Sequence, residues 1–367
     1  MPDIGAYIQG KAEKGKIVIL YDGILSIRKL YRAVHYLKML GVRKYFFAKS
    51  VVSFIDNKEK TFLILAVKRP QEIVEELDKM GLSDLEDYIN PSELEYYDAL
   101  IRYQNAPKVP EITEDILYDI ETNLRERVLC EDIKYFDKFE FENFKKNLNF
   151  GKEYYEDKNG RYNRKIMEFY FVCKFLEFDQ WNAEDIYIDV GAAGSPFVQY
   201  LRKRKINAYA LDLKSGRYGR LPYYLVEDAT NTHFADNSVQ GISAQSAFEM
   251  FIGNADTKFV KEAARILKPG GKLVIAPLYM HEQYLSTVSP NYYHKGFADE
   301  GSFECIRTDC RGGCPMGRFY SVDKLNERVI AVARESGLDT KVYILPNEIV
   351  EKDDFVYLKF ILEMSKR

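Results

Sequence analysis

The ten residues Ile186-Tyr187-Ile188-Asp189-Val190-Gly191-Ala192-Ala193-Gly194-Ser195 decide the fold of this chain. The first five predict a short buried strand, because they are mostly apolar with one acid close to the end. The next five have small side chains or none, so the backbone there can approach a ligand closely. Residues 197–205 then have the pattern of a helix. A strand, a turn of small residues and a helix in this order are typical of a parallel α/β sheet.

Strands and helices continue to alternate towards the end of the sequence. The predicted strands are residues 207–211, 223–226, 239–244 and 272–278, and the predicted helices are residues 256–267 and 321–336. Ligands of such a sheet bind outside the carboxyl ends of the parallel strands. The polar residues that follow these strands are therefore the candidates for a functional site.

Acidic residues lie at three of these strand ends. Asp189 precedes the turn of small residues, and Asp212 lies 21 residues beyond Gly191. That distance suits an acid that accepts hydrogen bonds from a ribose diol. Asp228 ends the next strand, where its carboxylate could accept from an adenine amino group. The turn lacks the Gly-x-Gly-x-x-Gly pattern of an enzyme that uses NAD, so another nucleoside ligand is favoured.

Residues 160–367 resemble the class I S-adenosylmethionine-dependent methyltransferases. The segments that carry the resemblance are residues 187–195, 210–213, 226–229, 247–251 and 262–271, the last of which contains a Leu-Lys-Pro-Gly-Gly turn. The resemblance implies a seven-stranded Rossmann-like sheet that closes with an antiparallel hairpin of residues 341–345 and 355–364. It also implies S-adenosylmethionine as the cofactor. The residues expected to bind this cofactor are Asp189, Gly191, Ala192, Ala193, Gly194, Ser195, Asp212, Leu213, Asp228, Ala229, Gln245 and Ser246.

The catalytic candidates follow from the chemistry of methyl transfer. Transfer from a sulfonium is an in-line displacement, and a hydroxyl acceptor needs a base that takes up its proton. His281, just past the strand at 272–278, is the first candidate, with a surface histidine as the alternative. Glu249 is the second, with a carboxylate favoured by a helix dipole as the alternative. His294 is expected to line the same pocket, within a long stretch (281–318) that reads as a lid or acceptor-binding loop.

Three of the five cysteines, Cys305, Cys310 and Cys314, lie in the same stretch. With His294 or His281 they could supply four zinc ligands, but no CxxC pair is present. Free thiols and no bound metal are the favoured interpretation. Five cysteines in 367 residues are too few for a disulfide scaffold.

The charge balance limits the kinds of partner. The chain has 53 Lys and Arg against 56 Asp and Glu, a formal net charge of −3, which argues against generic binding of nucleic acid or membranes. The basic run at residues 202–205 could bind RNA. It lies at the C-terminal end of a predicted helix, however, where positive charges complement the helix dipole, and this second interpretation is favoured. No segment reaches the roughly 20 apolar residues of a membrane span, and residues 1–10 lack a secretory signal. A cytoplasmic protein without membrane insertion is predicted.

Three domains are predicted: a small Rossmann-like α/β domain (residues 1–105), a helical connector or cap (106–180) and the methyltransferase domain (181–367). Through residues 16–21 and 55–58, the first domain resembles small Rossmann-like domains attached to bacterial sugar-modifying and polysaccharide-biosynthesis enzymes. This resemblance implies acceptor recognition or formation of a homodimer.

The sequence therefore predicts a methyltransferase that acts on an oxygen of a sugar or glycan precursor in polysaccharide biosynthesis. An RNA acceptor is one alternative. The other is a non-catalytic, methyltransferase-like binding module, which is favoured by the position of Gly194, out of phase with the alternating glycines that the family usually has.

Overall fold

The computed structural model describes residues 7–8, 10–11, 17–21, 46–48, 61–65, 77, 82, 86, 88–90, 94–151, 161–192, 194–214, 219–308, 315–346 and 358–367. The chain divides into two compact units. The first consists of Met1–Pro107, Ser289–Tyr293 and Ile306–Gly313, and the second of Lys108–Val288, His294–Cys305 and Cys314–Arg367. The segment 55–58, Ala193, Cys310 and Cys314 lie outside the described residues.

The first unit contains a parallel sheet. Its described strands are β1 (Ile17–Tyr21), β2 (Phe46–Ala48), β3 (Thr61–Leu65) and β4 (Tyr88–Ile89). They lie in the order β2-β1-β3-β4, and helix α1 (Leu94–Arg102) follows β4. Residues 62–65 of β3 are all buried and apolar, as expected for a parallel strand that is covered on both faces.

The second unit carries the remaining described strands. They are β5 (Cys130–Asp132), β6 (Ile186–Val190), β7 (Asn207–Asp212), β8 (Tyr224–Val226), β9 (Val239–Gln245), β10 (Leu267–Ala276), β11 (Leu285–Val288), β12 (Phe303–Ile306), β13 (Met316–Phe319), β14 (Leu338–Ile344) and β15 (Phe360–Lys366). Eight of them form one sheet in the order β5-β14-β15-β10-β9-β6-β7-β8. Strand β15 is antiparallel to β10 and β14, so the predicted closing hairpin is present.

The prediction of seven strands is wrong by one. The additional strand is β5, which pairs in parallel with β14 at one edge of the sheet. It has only three residues, two of them acidic, so no alternation of apolar and polar residues marks it in the sequence. Its pairing with β14, rather than an apolar face of its own, defines it as a strand.

Helices cover both faces of this sheet, as in a doubly wound α/β fold. They are α2 (Glu114–Arg127), α3 (Lys138–Leu148), α4 (Arg161–Leu176), α5 (Phe197–Lys203), α6 (Ala255–Ile266), α7 (Val322–Leu325) and α8 (Ala331–Glu335). A π-helical turn, Asn326–Ile330, joins the last two. Helices α3, α4 and α5 pack on one face, and α2, α6 and α8 on the other. The predicted helical connector therefore supplies three helices of the second unit.

The predicted lid or loop after β10 contains a folded element. Strands β11, β12 and β13 form a separate small sheet in the order β12-β11-β13, and β11 and β13 are antiparallel. We call residues 281–318 the insertion. Its strands have four residues each, and the glycines, prolines and histidines between them hide the strand pattern in the sequence.

No helix in the described part of the chain has the length and apolar character that a membrane span requires.

Candidate functional site

The turn after β6 depends on Gly191. Its φ is +72°, a conformation that residues with a side chain rarely adopt. A Cβ at this position would lie 2.4 Å from the Cβ of Ala247. The backbone N–H of Gly191 donates to the carbonyl oxygen of Leu211 at 2.8 Å. The absence of a side chain therefore lets the turn lie directly against the segments that follow β7 and β9.

The rest of the turn is held by short-range hydrogen bonds. The Ser195 N–H donates to the carbonyl of Ala192 at 2.7 Å, and Ser195 Oγ accepts from the N–H of Phe197 at 3.2 Å. The hydroxyl of Tyr224 donates to the carbonyl of Ser195 at 2.6 Å. Gly194 is partly exposed within this turn. These bonds connect the turn to α5 and β8 and so position it at the carboxyl edge of the sheet.

Two of the predicted acids lie at the surface of that edge. Asp212 is the last residue of β7, and its Oδ1 accepts from the N–H of Lys214 at 3.2 Å. Asp228 is exposed, and its Oδ1 accepts from the N–H of Thr230 at 2.8 Å. The chain links the two positions, because the Glu227 N–H donates to the carbonyl of Asp212 at 3.0 Å. Both carboxylates remain accessible to a ligand.

An exposed apolar side chain lies next to these acids. Leu213 directly follows Asp212 and is 70% exposed, whereas Ala229, directly after Asp228, is buried. A large apolar side chain in water beside two carboxylates suits contact with the flat face of a nucleoside base.

Asp189 differs from the other two acids because it lies beneath the surface. It is 2% exposed and accepts hydrogen bonds from Gln245 Nε2 at 2.9 Å and from Ser243 Oγ at 3.2 Å. Burial raises the pKa of its carboxyl to about 7, against the opposing effects of these hydrogen bonds and of the Lys165 charge. Asp189 therefore exchanges a proton near neutral pH.

Sequence reasoning missed two residues of this region, both on α4. Lys165 Nζ donates to Glu168 Oε2 at 2.7 Å and to the carbonyl of Gln245 at 2.9 Å. Glu168 is fully buried and accepts from Ser246 Oγ at 2.9 Å, and burial raises the pKa of its carboxyl. The available signal was a pair of opposite charges three residues apart in a helix rich in aromatic residues. Nothing in the sequence shows that this side of the helix faces β9.

The titration of Asp189 gives a first prediction. Its folded-state pKa of about 7 lies above the usual value of about 3.9 in an unfolded chain. The folded protein therefore favours the protonated carboxyl. This contribution to the free energy of unfolding is fully present below about pH 4 and is lost as the pH rises to about 7. Because asparagine does not ionise, we expect Asp189→Asn to raise the Tm of the ligand-free protein by several degrees at pH 8, at about 2–4 °C per kcal/mol. The measurement is Tm against pH.

Asp228→Asn is the matched control for this experiment, because Asp228 is exposed and its replacement should leave the pH dependence unchanged. Parallel curves for the wild type and Asp189→Asn between pH 5 and pH 8 would contradict the assignment.

A second buried polar cluster connects the insertion to the start of α6. Arg318 donates from Nε and Nη2 to the two carboxylate oxygens of Asp299, at 2.6 and 2.9 Å. Asp256 accepts from the hydroxyl of Tyr320 at 2.6 Å and from Nε and Nη2 of Arg328 at 2.9 and 2.7 Å. Arg318 Nη1 lies 3.3 Å from Asp256 Oδ2. Two arginines and two aspartates thus balance in charge and hold the insertion close to the segment after β9.

His281 lies in this part of the molecule, buried and uncharged. Its Nδ1 accepts from the N–H of Gln283 at 3.0 Å, so the neutral ring carries its proton on Nε2. Burial lowers the pKa of the imidazole, which keeps the ring neutral at neutral pH. Nε2 has no hydrogen-bond partner among the described residues.

The other two catalytic candidates lie in different surroundings. Glu249 is mostly buried in the short 3-10 helix Phe248–Met250, two residues after the Ala247 that touches Gly191. His294 is exposed, and its Nδ1 lies 2.9 Å from Glu304 Oε2. The structure thus places Glu249 two residues after Ala247, which lies against the turn that follows β6, and His294 within the insertion.

The thiol of Cys305 is buried, which raises its pKa to about 11 and keeps it protonated. A protonated thiol is a poor metal ligand. Across the described ranges, no three His, Cys, Asp or Glu side chains are grouped so that they could hold a metal ion.

The family described as "Methyltransferase domain" matches residues 188–275. These residues run from within β6 to the end of β10 and include Asp212, Asp228, Gln245 and Glu249. The chain therefore contains a methyltransferase domain. Its main sheet has a Rossmann-like α/β fold.

Solved structures of methyltransferases are similar to this methyltransferase at low sequence identity. The 1,6-didemethyltoxoflavin-N1-methyltransferase of Burkholderia thailandensis, with 1,6-didemethyltoxoflavin and S-adenosylhomocysteine bound, is 10% identical, with coverage of 71% of this chain and 93% of that one and a TM-score of 0.39. A methyltransferase from Methanosarcina mazei is 15% identical, with coverage of 51% and 95% and a TM-score of 0.35. The geranyl diphosphate C-methyltransferase of Streptomyces coelicolor is 11% identical, with coverage of 63% and 99% and a TM-score of 0.33. No curated protein matches the chain.

Proposed function

We propose that this methyltransferase methylates a hydroxyl oxygen of a sugar or glycan precursor in polysaccharide biosynthesis. The observation that carries the hydroxyl is the position of a mostly buried carboxylate, Glu249, after β9 and of a buried neutral imidazole, His281, after β10, its parallel neighbour in the sheet. A hydroxyl acceptor needs one group that removes its proton and one that orients its oxygen. The sugar class rests on the resemblance of residues 1–105 to domains of sugar-modifying enzymes.

In this proposal the cofactor is S-adenosylmethionine, and it lies along the carboxyl edge of strands β6 to β9. Asp212 binds the ribose hydroxyls, while Leu213, Asp228 and Ala229 contact the adenine. The turn at residues 191–195, with Asp189 below it and Gln245 and Ser246 beside it, lines the remainder of the molecule. When bound, S-adenosylmethionine supplies an electrophilic methyl group on a positively charged sulfur.

Glu249 accepts the proton of the acceptor hydroxyl in this scheme, and His281 orients the oxygen. We expected His281 to be the base, but its Nδ1 lone pair is occupied by the Gln283 N–H. Its Nε2–H is therefore a donor. His294 contacts the acceptor rather than moving a proton, because its Nδ1 is paired with Glu304. These roles leave proton removal to a carboxylate and substrate orientation to two histidines.

The basic run at residues 202–205 supports a small acceptor over RNA. Arg202 donates to the carbonyl of Ala208 at 2.8 Å, and its guanidinium lies 4.5 Å from the ring centre of Tyr223. Arg204 pairs with Asp179 at 2.7 Å. Both guanidinium groups therefore serve contacts within the chain, which weakens the run as an electrostatic site for a phosphate backbone.

In this proposal, the N-terminal domain of residues 1–105 recognises the acceptor or forms a homodimer. Residues 181–367 bind the cofactor, and the helices of residues 106–180 cover the faces of their sheet. The parallel order β2-β1-β3-β4 supports an α/β binding domain, because the strand order reverses between β1 and β3 and such points bind ligands.

A labelled-methyl assay tests the proposed acceptor. The protein is incubated with methyl-labelled S-adenosylmethionine and, separately, nucleotide sugars, glycan fragments and total RNA. We expect label in the sugar or glycan fraction. Glu249→Gln should lower kcat by about 10²–10⁴-fold and leave the affinity for S-adenosylhomocysteine unchanged. Label in RNA alone, or in no fraction although the cofactor binds, would contradict the proposal, as would full activity of Glu249→Gln.

A further inference from the structure

A cavity of about 530 Å³ lies in the second unit, between the insertion and the starts of α6 and α7. It is lined by residues 252–254, 296–301, 324 and 327–328. Its volume is in the range of roughly 300–1,000 Å³ that small-molecule sites have. Ile252 closely follows the 3-10 helix that carries Glu249, the proposed base. The cavity is therefore a candidate for the part of the acceptor that is not methylated.

The lining of this cavity is unusually polar. Most ligand pockets are lined mainly by apolar side chains, with a few polar groups that fix the orientation of the ligand. Here the larger apolar side chains are Ile252 and Phe297, whereas the polar ones are Asn254, Asp299, Glu300, Lys324, Glu327 and Arg328. Such a lining favours a ligand that makes many hydrogen bonds.

The positive charges of the lining are already balanced within the protein. Lys324 Nζ pairs with Glu327 Oε2 at 2.7 Å. Arg328 Nη2 lies 2.7 Å from Asp256 Oδ1. Asp299 is held by Arg318 at 2.6 Å. Since Glu300 adds a further carboxylate, a phosphate or another anion would be repelled, and a single exposed carboxylate attracts a cation only weakly. The charges therefore favour an uncharged polar ligand.

Three side chains of the lining have hydrogen-bonding groups that the described part of the protein does not use. Arg328 donates from Nε and Nη2 to Asp256 and to the Gly253 carbonyl, which leaves the two N–H groups of Nη1. Asn254 precedes α6, and its exposed side chain makes no capping bond. Glu300 is exposed and has no ion-pair partner in the described ranges. Together they offer planar donors and acceptors, which suit neighbouring hydroxyl groups that both donate and accept.

We propose that this cavity binds an uncharged sugar ring of the acceptor glycan. Arg328 Nη1 and the amide of Asn254 donate to hydroxyl oxygens of the ring, and Glu300 accepts from a hydroxyl. The partly buried ring of Phe297 contacts the apolar C–H face of the sugar, because the face of an aromatic ring is electron-rich. The inference rests on the proposed sugar acceptor and narrows it to a neutral glycan, since the diphosphate of a nucleotide sugar would find no excess of cations here.

Saturation-transfer NMR titrations of the full chain test this inference. The probes are the neutral disaccharides maltose, cellobiose, lactose and N,N′-diacetylchitobiose, and the charged UDP-glucose. We expect at least one disaccharide to bind, and UDP-glucose to bind no more tightly. The double variant Asn254→Ala/Glu300→Ala should weaken disaccharide binding by about tenfold or more, because it removes two hydrogen-bonding groups, one of them charged. Its affinity for S-adenosylhomocysteine, measured by calorimetry, should be unchanged.

Glu335→Ala is the matched control, because Glu335 is also exposed but lies at the end of α8, outside the lining; it should bind the probes as the wild type does. Failure of every disaccharide to bind would overturn the proposal, as would binding of UDP-glucose alone or equal binding by the wild type and the double variant. If the double variant does not fold, Glu300→Ala replaces it with the same direction of change.

The titrations need no methyl transfer, so their outcome is separate from that of the labelled-methyl assay. Label that enters a glycan while no disaccharide binds would contradict only the sugar site in this cavity. Disaccharide binding without label in any glycan would contradict only the proposed reaction.

Discussion

Replacing Asp212 with alanine is expected to weaken binding of S-adenosylhomocysteine by about 100-fold or more while the protein stays folded. The carboxylate ends β7 at the accessible edge of the sheet, where it can accept from the ribose diol. Hydrogen bonds to a charged group contribute about 1.5–3 kcal/mol each, and two of them account for the loss. The affinity is measured by calorimetry and the fold by the melting temperature.

Asp339→Ala is the control for Asp212→Ala. Asp339 is also accessible, but it lies on β14 and pairs with Arg367, far along the strand order from β7. We expect Asp339→Ala to leave the affinity unchanged. An unchanged affinity of Asp212→Ala would mean that the ribose binds elsewhere.

The second large effect is expected at Arg318. This guanidinium is fully buried and is held by Asp299 and Asp256. Methionine fills a similar volume but leaves Asp299 buried without its main partner, and breaking a buried ion pair in this way destabilises by about 3–5 kcal/mol. We therefore expect Arg318→Met to lower the free energy of unfolding by that amount in urea titrations.

Two further variants test this explanation. Arg125→Met removes an exposed partner of Asp132 and should change stability by less than about 1 kcal/mol. The double variant Arg318→Met/Asp299→Leu removes both members of the buried pair, so it should recover much of the lost stability. A loss below 1 kcal/mol for Arg318→Met, or no recovery in the double variant, would contradict the account.

Strands β6 to β10 could be predicted because local pattern and tertiary environment agree there. Parallel strands that are covered on both faces read as short apolar runs. The predicted turn at Pro269-Gly270-Gly271 is instead part of β10, at a shift in the register between Leu267 and Lys272. The same agreement placed Asp212 correctly at the end of a strand, whereas Asp228 lies two residues after β8 ends at Val226. At the edge of the sheet the local pattern does not predict the strand. β5 has only three residues and forms because it pairs with β14, and no local property of the sequence indicates this pairing.

The site itself could be predicted only in part. Strand periodicity shows that Asp189 is near a strand end but not that its side chain lies under the turn, against Gln245 and Ser243. Similarly, Lys165 and Glu168 become part of the site only because α4 packs on β9. Side-chain direction at strand ends and the contacts of a distant helix are properties of the tertiary fold, and a single sequence does not contain them in readable form.

The role of His281 shows the same limit for chemistry. Its position after β10 suggested a base, but the tautomer is decided by a backbone N–H two residues away. The sequence can thus predict which residues belong to a candidate site. Whether each of them donates or accepts a proton depends on the geometry of its hydrogen bonds.

A crystal structure with S-adenosylhomocysteine bound tests the central claim most directly. The account predicts that the ribose hydroxyls lie within hydrogen-bonding distance of Asp212, that the adenine lies beside Asp228 and Leu213, and that the remainder of the molecule lies along the turn at residues 191–195 beside Gln245. A ligand bound away from the carboxyl ends of β6, β7 and β9, with Asp212 making no contact to it, would contradict the account.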